Sequence, residues 1–301
     1  MASGGSTRVV VLALLANAGI AVAKFVAAVV TGSGAMMAES VHSAADSGNQ
    51  ALLLLGHARA RRPSDERHPF GYARESYFWA LLVAIILFVL GGAFSLYEGV
   101  HKMTSGEPLT NAGWAVGVLV FGIFLEGYSL RAAWLEYGRV RGRRSLLRWS
   151  KSTGNVNLLV VVFEDLAATA GLVLALVAVL LSWATGNPFY DALGTCVIGV
   201  LLLVVAVFLA GLVRRLIIGL SISDELRAGI ITIWNGHKYD VLDLYAIWHG
   251  PDAIIVAIKV RPRDARVEAA TLMRELNEIE NEVRASYPQV VYHFVEPDHL
   301  R

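Results

Sequence analysis

Cysteine is nearly missing from this chain: Cys196 is the only one in 301 residues. A lone cysteine in an apolar run excludes an intramolecular disulfide and a cysteine-ligated zinc cluster. It reads as a small buried side chain. Charge is scarce as well, at 17% of residues where soluble domains carry about 25%. Neither sign dominates, and the net charge is +1. No basic patch interleaved with aromatics is present, so nucleic acid is not an expected partner. A His-Glu-x-x-His motif, a nucleophile triad and a phosphate loop are also missing, which argues against an enzyme. Met1 to Thr7 lack the pattern of a cleavable signal, so the first apolar helix is expected to remain as a span.

What the chain has in abundance is apolar sequence. Hydrophobic residues make up 55% of it and the mean hydropathy is +0.54. Stretches of roughly 20 apolar residues match the hydrocarbon core of a bilayer. Six are read here: Arg8 to Val30, Ala35 to Gly56, Tyr77 to Val100, Ala112 to Trp134, Asn157 to Trp183 and Pro188 to Ile217. The second is weakly hydrophobic and needs neighbouring helices to cover it. Lys and Arg gather in the second loop (Arg59, Arg61, Arg62, Arg67, Arg74) and in the fourth (Arg139 to Lys151). The first and fifth loops have none, and the third has Lys102 alone. The positive-inside bias then puts both termini in the cytoplasm.

Past Ile217 the pattern changes. The segment Gly219 to Asp224 reads as a linker ending in a helix N-cap, and Glu225 to Trp234 as a short helix. Val241 to Trp248 and Ala253 to Val260 read as strands joined by a Gly250-Pro251-Asp252 turn. Val267 to Ser286 has helical periodicity, and Val290 to Val295 reads as a last strand. The expected architecture is a six-helix membrane domain over 1–217 and a small cytoplasmic α+β domain over 218–301. Neither a strong internal repeat nor a low-complexity tract is present.

Ionisable residues inside apolar spans are expensive and mark sites or pathways. In the second span Glu39, His42, Asp46 and Asn49 follow i, i+3, i+7, i+10, one narrow stripe of a helix. His42 and Asp46, one turn apart, can grip one divalent cation. The fifth span holds Glu164 and Asp165 in an apolar run with no Lys or Arg in the helix to pair them. Adjacent residues point 100° apart, and Asn157 shares the face of Glu164, which favours Glu164 as the one in polar surroundings. Three or four N/O ligands from two helices suit tetrahedral Zn²⁺, and also Mn²⁺, Fe²⁺ or Co²⁺. Such ligands release protons on binding metal, so one site can carry metal one way and protons the other. In the first span Asn17 and Lys24 lie seven apart, and Lys24 can snorkel or pair with a carboxylate. In the second loop Asp65 and His68 form a candidate second, more exposed metal site.

Several of these segments together resemble the cation diffusion facilitator family of metal/proton antiporters. They are His42-x-x-x-Asp46, the loop from Arg62 to Glu75, Asp191 opening the sixth span, and the Gly250-Pro251 turn in an α+β tail. The string Glu39 to Ser43, Asn49-Gln50 and Glu164 to Ala168 are similar to the zinc transporter 9-like branch. The resemblance covers nearly the whole chain. It implies a homodimer with a ferredoxin-like tail and a four-coordinate site shared by the second and fifth spans. Asp165 matches one fifth-span position, and Val161 stands where the other ligand is usual, which makes Glu164 its substitute. Tyr72 likewise replaces a usual loop His, and the tail offers His249 and His293 but few other candidates, with Glu296 and Asp298 near the latter, so no full binuclear cluster is expected there. The expected function is efflux of a divalent transition metal, Zn²⁺ foremost, in exchange for protons and with no prosthetic group. The alternatives are a non-transporting metal sensor or a carrier of Mn²⁺, Fe²⁺ or Co²⁺. A bacterial inner membrane is the expected location.

Overall fold

A computed structural model describes residues 18–106, 108–264 and 266–298. The chain divides into two compact units, one made of residues 18–58, Phe78–Arg143 and Asn157–Val213, the other of Arg59–Tyr77, Arg144–Val156 and the residues from Arg214 on.

The first unit is a helix bundle. Its helices are α1 (Ala18–Thr31), α2 (Gly34–Ala60), α3 (Glu75–Ser105), α4 (Ala112–Val140), α6 (Val156–Thr185) and α7 (Phe189–Ile218). Four of these, α3, α4, α6 and α7, are long and apolar enough to cross a membrane. The expectation of six spans is thus met for four. α2 has 27 residues, about 40 Å at 1.5 Å per residue, but its polar stripe lowers its hydropathy. The described part of α1 is short, and the expected start of that span, Asn17 included, lies outside the described residues. The helices run a few residues past the expected limits, α4 by a turn and a half, to Val140.

Two devices lock the bundle. Asp191, in the first turn of α7, accepts hydrogen bonds from Ser33 Oγ (2.6 Å) and from the Gly34 backbone N–H (2.7 Å). A carboxylate thereby satisfies an otherwise orphaned amide at the start of α2. The second device is close approach of α3 and α7. A Cβ on Gly92 would lie 2.5 Å from Leu203, one on Gly99 2.5 Å from Cys196 Sγ, and one on Gly199 2.8 Å from the Leu96 backbone nitrogen. Small residues let membrane helices pack backbone to backbone, where lipid supplies no hydrophobic drive. Just ahead of this contact, Leu87–Ala93 of α3 winds as a π-helix, a feature that the hydrophobic periodicity did not signal.

The second unit is built on the short α5 (Leu146–Ser150), α8 (Asp224–Gly236), β1 (Tyr239–Gly250), β2 (Ala253–Pro262), α9 (Ala269–Ser286) and β3 (Val290–Pro297). The sheet order is β1-β2-β3, with β1–β2 antiparallel and β2–β3 parallel. The α+β expectation is met, with three strands among the described residues rather than the four of a full ferredoxin-like sheet. The cap of α8 is Ser223, whose Oγ accepts from Leu226 N–H, and not Asp224. Ile230 and Trp234 of α8 and Ile279 and Val283 of α9 pack on Ile254, Val256 and Ile258 of β2.

Gly199→Ala is expected to destabilise the bundle by about 1–3 kcal/mol, the range for forcing a methylene into a packed core. Its added methyl meets backbone, which cannot swing aside. Denaturant unfolding of the full chain in detergent, followed by near-UV circular dichroism, reads the change.

Candidate metal centre

The polar stripe of α2 faces inward. Glu39, His42 and Asn49 are buried, and Asp46 is 14% exposed. From α6, Glu164 and Asp165 are both buried. Asn49 Nδ2 donates to Glu164 Oε1 at 2.7 Å, and Ser129 Oγ of α4 donates to Asp165 Oδ2 at 2.9 Å. The two adjacent carboxylates are therefore held from opposite sides, one by α2 and one by α4. The wheel argument pointed to Glu164 alone, but here both have polar neighbours.

Asp46, Glu164 and Asp165 line one cavity of about 350 Å³, together with Ser43, Gln50 and Glu126. Glu126, on α4, was missed by the sequence reading. Arg131 and Glu136 follow it on the same helix and hide it in what reads as a polar helix end. His42 lies behind the cavity wall, its Nδ1 3.6 Å from Asp46 Oδ1. Its ring is against the π-helical stretch, where a Cβ on Gly91 would sit 3.8 Å from His42 Nδ1. Both His42 nitrogens and Asp46 Oδ1 are buried without a hydrogen-bond partner. Buried polar atoms are nearly always satisfied, so three orphans on two neighbouring residues mark a place built for something else. Neutral imidazole nitrogen and carboxylate oxygen are the donors that a transition-metal cation takes. Among the described residues no three His, Cys, Asp or Glu side chains converge closely enough to hold one ion as they stand. The groups ring the cavity and would have to close on a cation.

In the second unit the connector between α2 and α3 brings Asp65 and His68 together, with His68 Nδ1 3.3 Å from Asp65 Oδ1. The aspartate is already engaged. Its Oδ2 accepts from Tyr72 Oη at 2.6 Å, and its Oδ1 accepts the backbone N–H groups of Arg67 (3.0 Å) and His68 (2.7 Å). The Tyr72 hydroxyl and then the His68 amide hold the Asp65 carboxyl below the usual carboxylate range. These bonds close the turn.

The tail histidines have structural partners. His249 Nε2 donates to the Phe70 carbonyl at 2.9 Å. Phe70 in turn packs edge-on against Tyr292, 5.2 Å between centroids. Glu296 and Asp298, expected near His293, instead pair with Lys259 at 3.2 and 3.0 Å. His293 packs edge-on to Trp234 with neither ring nitrogen bonded. Burial pushes its pKa down from 6.5 to about 4.

Carboxylates and an imidazole around a polar cavity, enclosed by helices able to cross a bilayer, define an integral membrane protein that handles a cation. The chain belongs to the cation efflux family: the family's Cation efflux transmembrane domain matches residues 10–213. That family is one of transporters, and the chain is not an enzyme. It is 35% identical over 222 residues to metal tolerance protein C4 of Arabidopsis thaliana, covering 73% of this chain and 49% of the plant protein. Identity to the mitochondrial proton-coupled zinc antiporter of Homo sapiens is 32% over 224 residues, 73% of this chain and 39% of the human one. A shorter match, 30% over 128 residues, joins it to the metal cation efflux system protein CzcD of Cupriavidus metallidurans, covering 42% and 40% of the two chains. The chain thus spans about half or less of the length of these relatives.

The depressed His293 value carries a sign. The unfolded chain takes up a proton below pH 6.5 and the folded tail does not until about pH 4. Stability from this residue is therefore full above pH 6.5 and is lost as the pH falls through that window. His293→Phe is expected to remove up to about 3 kcal/mol of this acid sensitivity. Hydrogen-exchange protection of β2 and β3 in the full chain at pH 7 and pH 4.5, corrected for intrinsic rates, measures it.

Proposed function

We propose that this protein exports a divalent transition metal, Zn²⁺ foremost, from the cytoplasm in exchange for protons. The supporting observation is the cavity itself. Carboxylates from α2 and α6 meet in one cavity of about 350 Å³, beside a histidine whose nitrogens have no hydrogen-bond partner. His42, Asp46, Glu164 and Asp165 are the proposed metal ligands, with Glu126 lining the same space. The Asn49 and Ser129 hydrogen bonds orient the α6 pair. Metal bound among these groups displaces their protons, and its departure lets protons return, so each occupant excludes the other. The names of the plant and human relatives, metal tolerance and proton-coupled zinc antiport, support the same reading.

The full proposal has six spans, with α1 and α2 completing the four apolar ones, and a membrane domain that ends near Ile217. The tail is cytoplasmic, in keeping with the arginines of the second and fourth loops. The transporter works as a homodimer with one cation path per protomer. The α6 helix rocks against α2 to expose the cavity to either side in turn. Asp65 and His68 form at most a weak accessory cation site, since Tyr72 and two amides already occupy the aspartate. A bacterial inner membrane remains the proposed location. The competing reading, a sensor that binds metal without moving it, draws on Val161, which supplies no ligand one turn before Asp165.

Purified protein in proteoliposomes is expected to move Zn²⁺ down an imposed pH gradient. Asp46→Ala should fold but lose flux by about 100-fold or more, beyond the roughly 10–100-fold cost of losing a group behind the ligands. Normal proton-coupled flux in that variant would overturn the assignment, and binding without flux in the wild type would favour the sensor. Isothermal titration with Zn²⁺, Mn²⁺ and Co²⁺ ranks the metals.

A further inference from the structure

Lys24 of α1 is 1% exposed, in the interior of an apolar bundle. Its ammonium lies 3.3 Å from Glu39 Oε2 and donates to Ser43 Oγ at 2.6 Å. Glu39 is fully buried. Gly171 of α6 makes room for the pair: a Cβ there would lie 2.6 Å from Glu39 Oε1.

Such a pair is weak evidence of stabilisation, because desolvation offsets most of its attraction. Its placement is more telling. Ser43, which takes the ammonium hydrogen bond, lines the cavity three residues before Asp46. The positive end of the pair is therefore one hydroxyl away from the space ringed by Asp46, Glu164, Asp165 and Glu126, and Lys24 and Asp46 lie close enough for their charges to interact. In a low-dielectric interior a fixed charge at this range acts strongly on an incoming cation.

We propose that Lys24 is a built-in counter-ion that lowers the cavity's affinity for divalent cations, so that bound metal is released and not trapped. Glu39, one turn before Ser43 on α2, holds the ammonium in place. The inference rests on the cavity being the cation path. Removing the positive charge should then tighten binding, the opposite of what damage to the fold does.

The test compares wild type, Lys24→Met and the double variant Lys24→Met/Glu39→Gln, which removes both charges while nearly conserving volume. Zn²⁺ binding to the purified full chain is measured by titration, and Zn²⁺ flux in proteoliposomes by initial rates. Lys24→Met is expected to bind Zn²⁺ more tightly, by about tenfold, with a lower KM and a slower saturated rate, and the double variant, which also loses the Glu39 charge, to change in the same direction by a smaller factor. Should Lys24→Met fail to fold, the double variant decides. Unchanged or weaker binding in a folded variant, with wild-type binding and flux intact, overturns the inference and leaves the transport reading standing. A wild type that neither binds nor moves Zn²⁺ overturns both.

Discussion

Charged oxygen in hydrocarbon has to be held by something, and the arrangement of this bundle follows from that demand. Asp46, Glu164 and Asp165 have no arginine against them. Their support is an amide from Asn49 and a hydroxyl from Ser129, at the edge of the cavity. Each of those supports sits on a different helix from the carboxylate it serves. α2, α4 and α6 are therefore brought together by the needs of the polar groups as much as by apolar contact. Lys24 and Glu39 extend the same logic to α1, and Asp191 extends it to the turn between α1 and α2.

The glycine contacts answer a different need. Where α3 meets α7, contact of backbone with side chain and backbone brings the helices together at Gly92, Gly99 and Gly199. The bundle thus combines a tight apolar seam on one side with a polar, partly open interior on the other. A packed seam moves as a block, whereas a cavity with unsatisfied oxygen and nitrogen atoms has several arrangements of similar energy.

Much of this was legible in the residues. The i, i+3, i+7, i+10 stripe of Glu39, His42, Asp46 and Asn49 identified the inward face of α2, because helical geometry leaves no freedom in which residues share a face. The long apolar runs gave the bundle helices to within a few residues, and the alternation of strands and helix gave the tail. Three things were not legible, each for a physical reason. Glu126 lies in a helix that also carries Arg131 and Glu136, so it reads as part of a polar helix end. The roles of Glu164 and Asp165 depend on what α2 and α4 offer, and a helical wheel contains only its own helix. Asp65 and His68 looked like a pair of metal ligands because local spacing says nothing of Tyr72, seven residues on, which donates to the other Asp65 oxygen.

The connector between α2 and α3 folds as part of the tail's unit: Phe70 is gripped by His249 and Tyr292, and a Cβ on Gly250 would collide with Ala73. The stretch between α4 and α6 belongs to that unit as well, with Gly154 seated against the Trp248 ring. The tail is accordingly moored to the chain at three places, though only one of them is its own covalent link after α7. A load on the tail reaches the C-terminal end of α2, the helix of His42 and Asp46, through the connector as directly as it reaches α7.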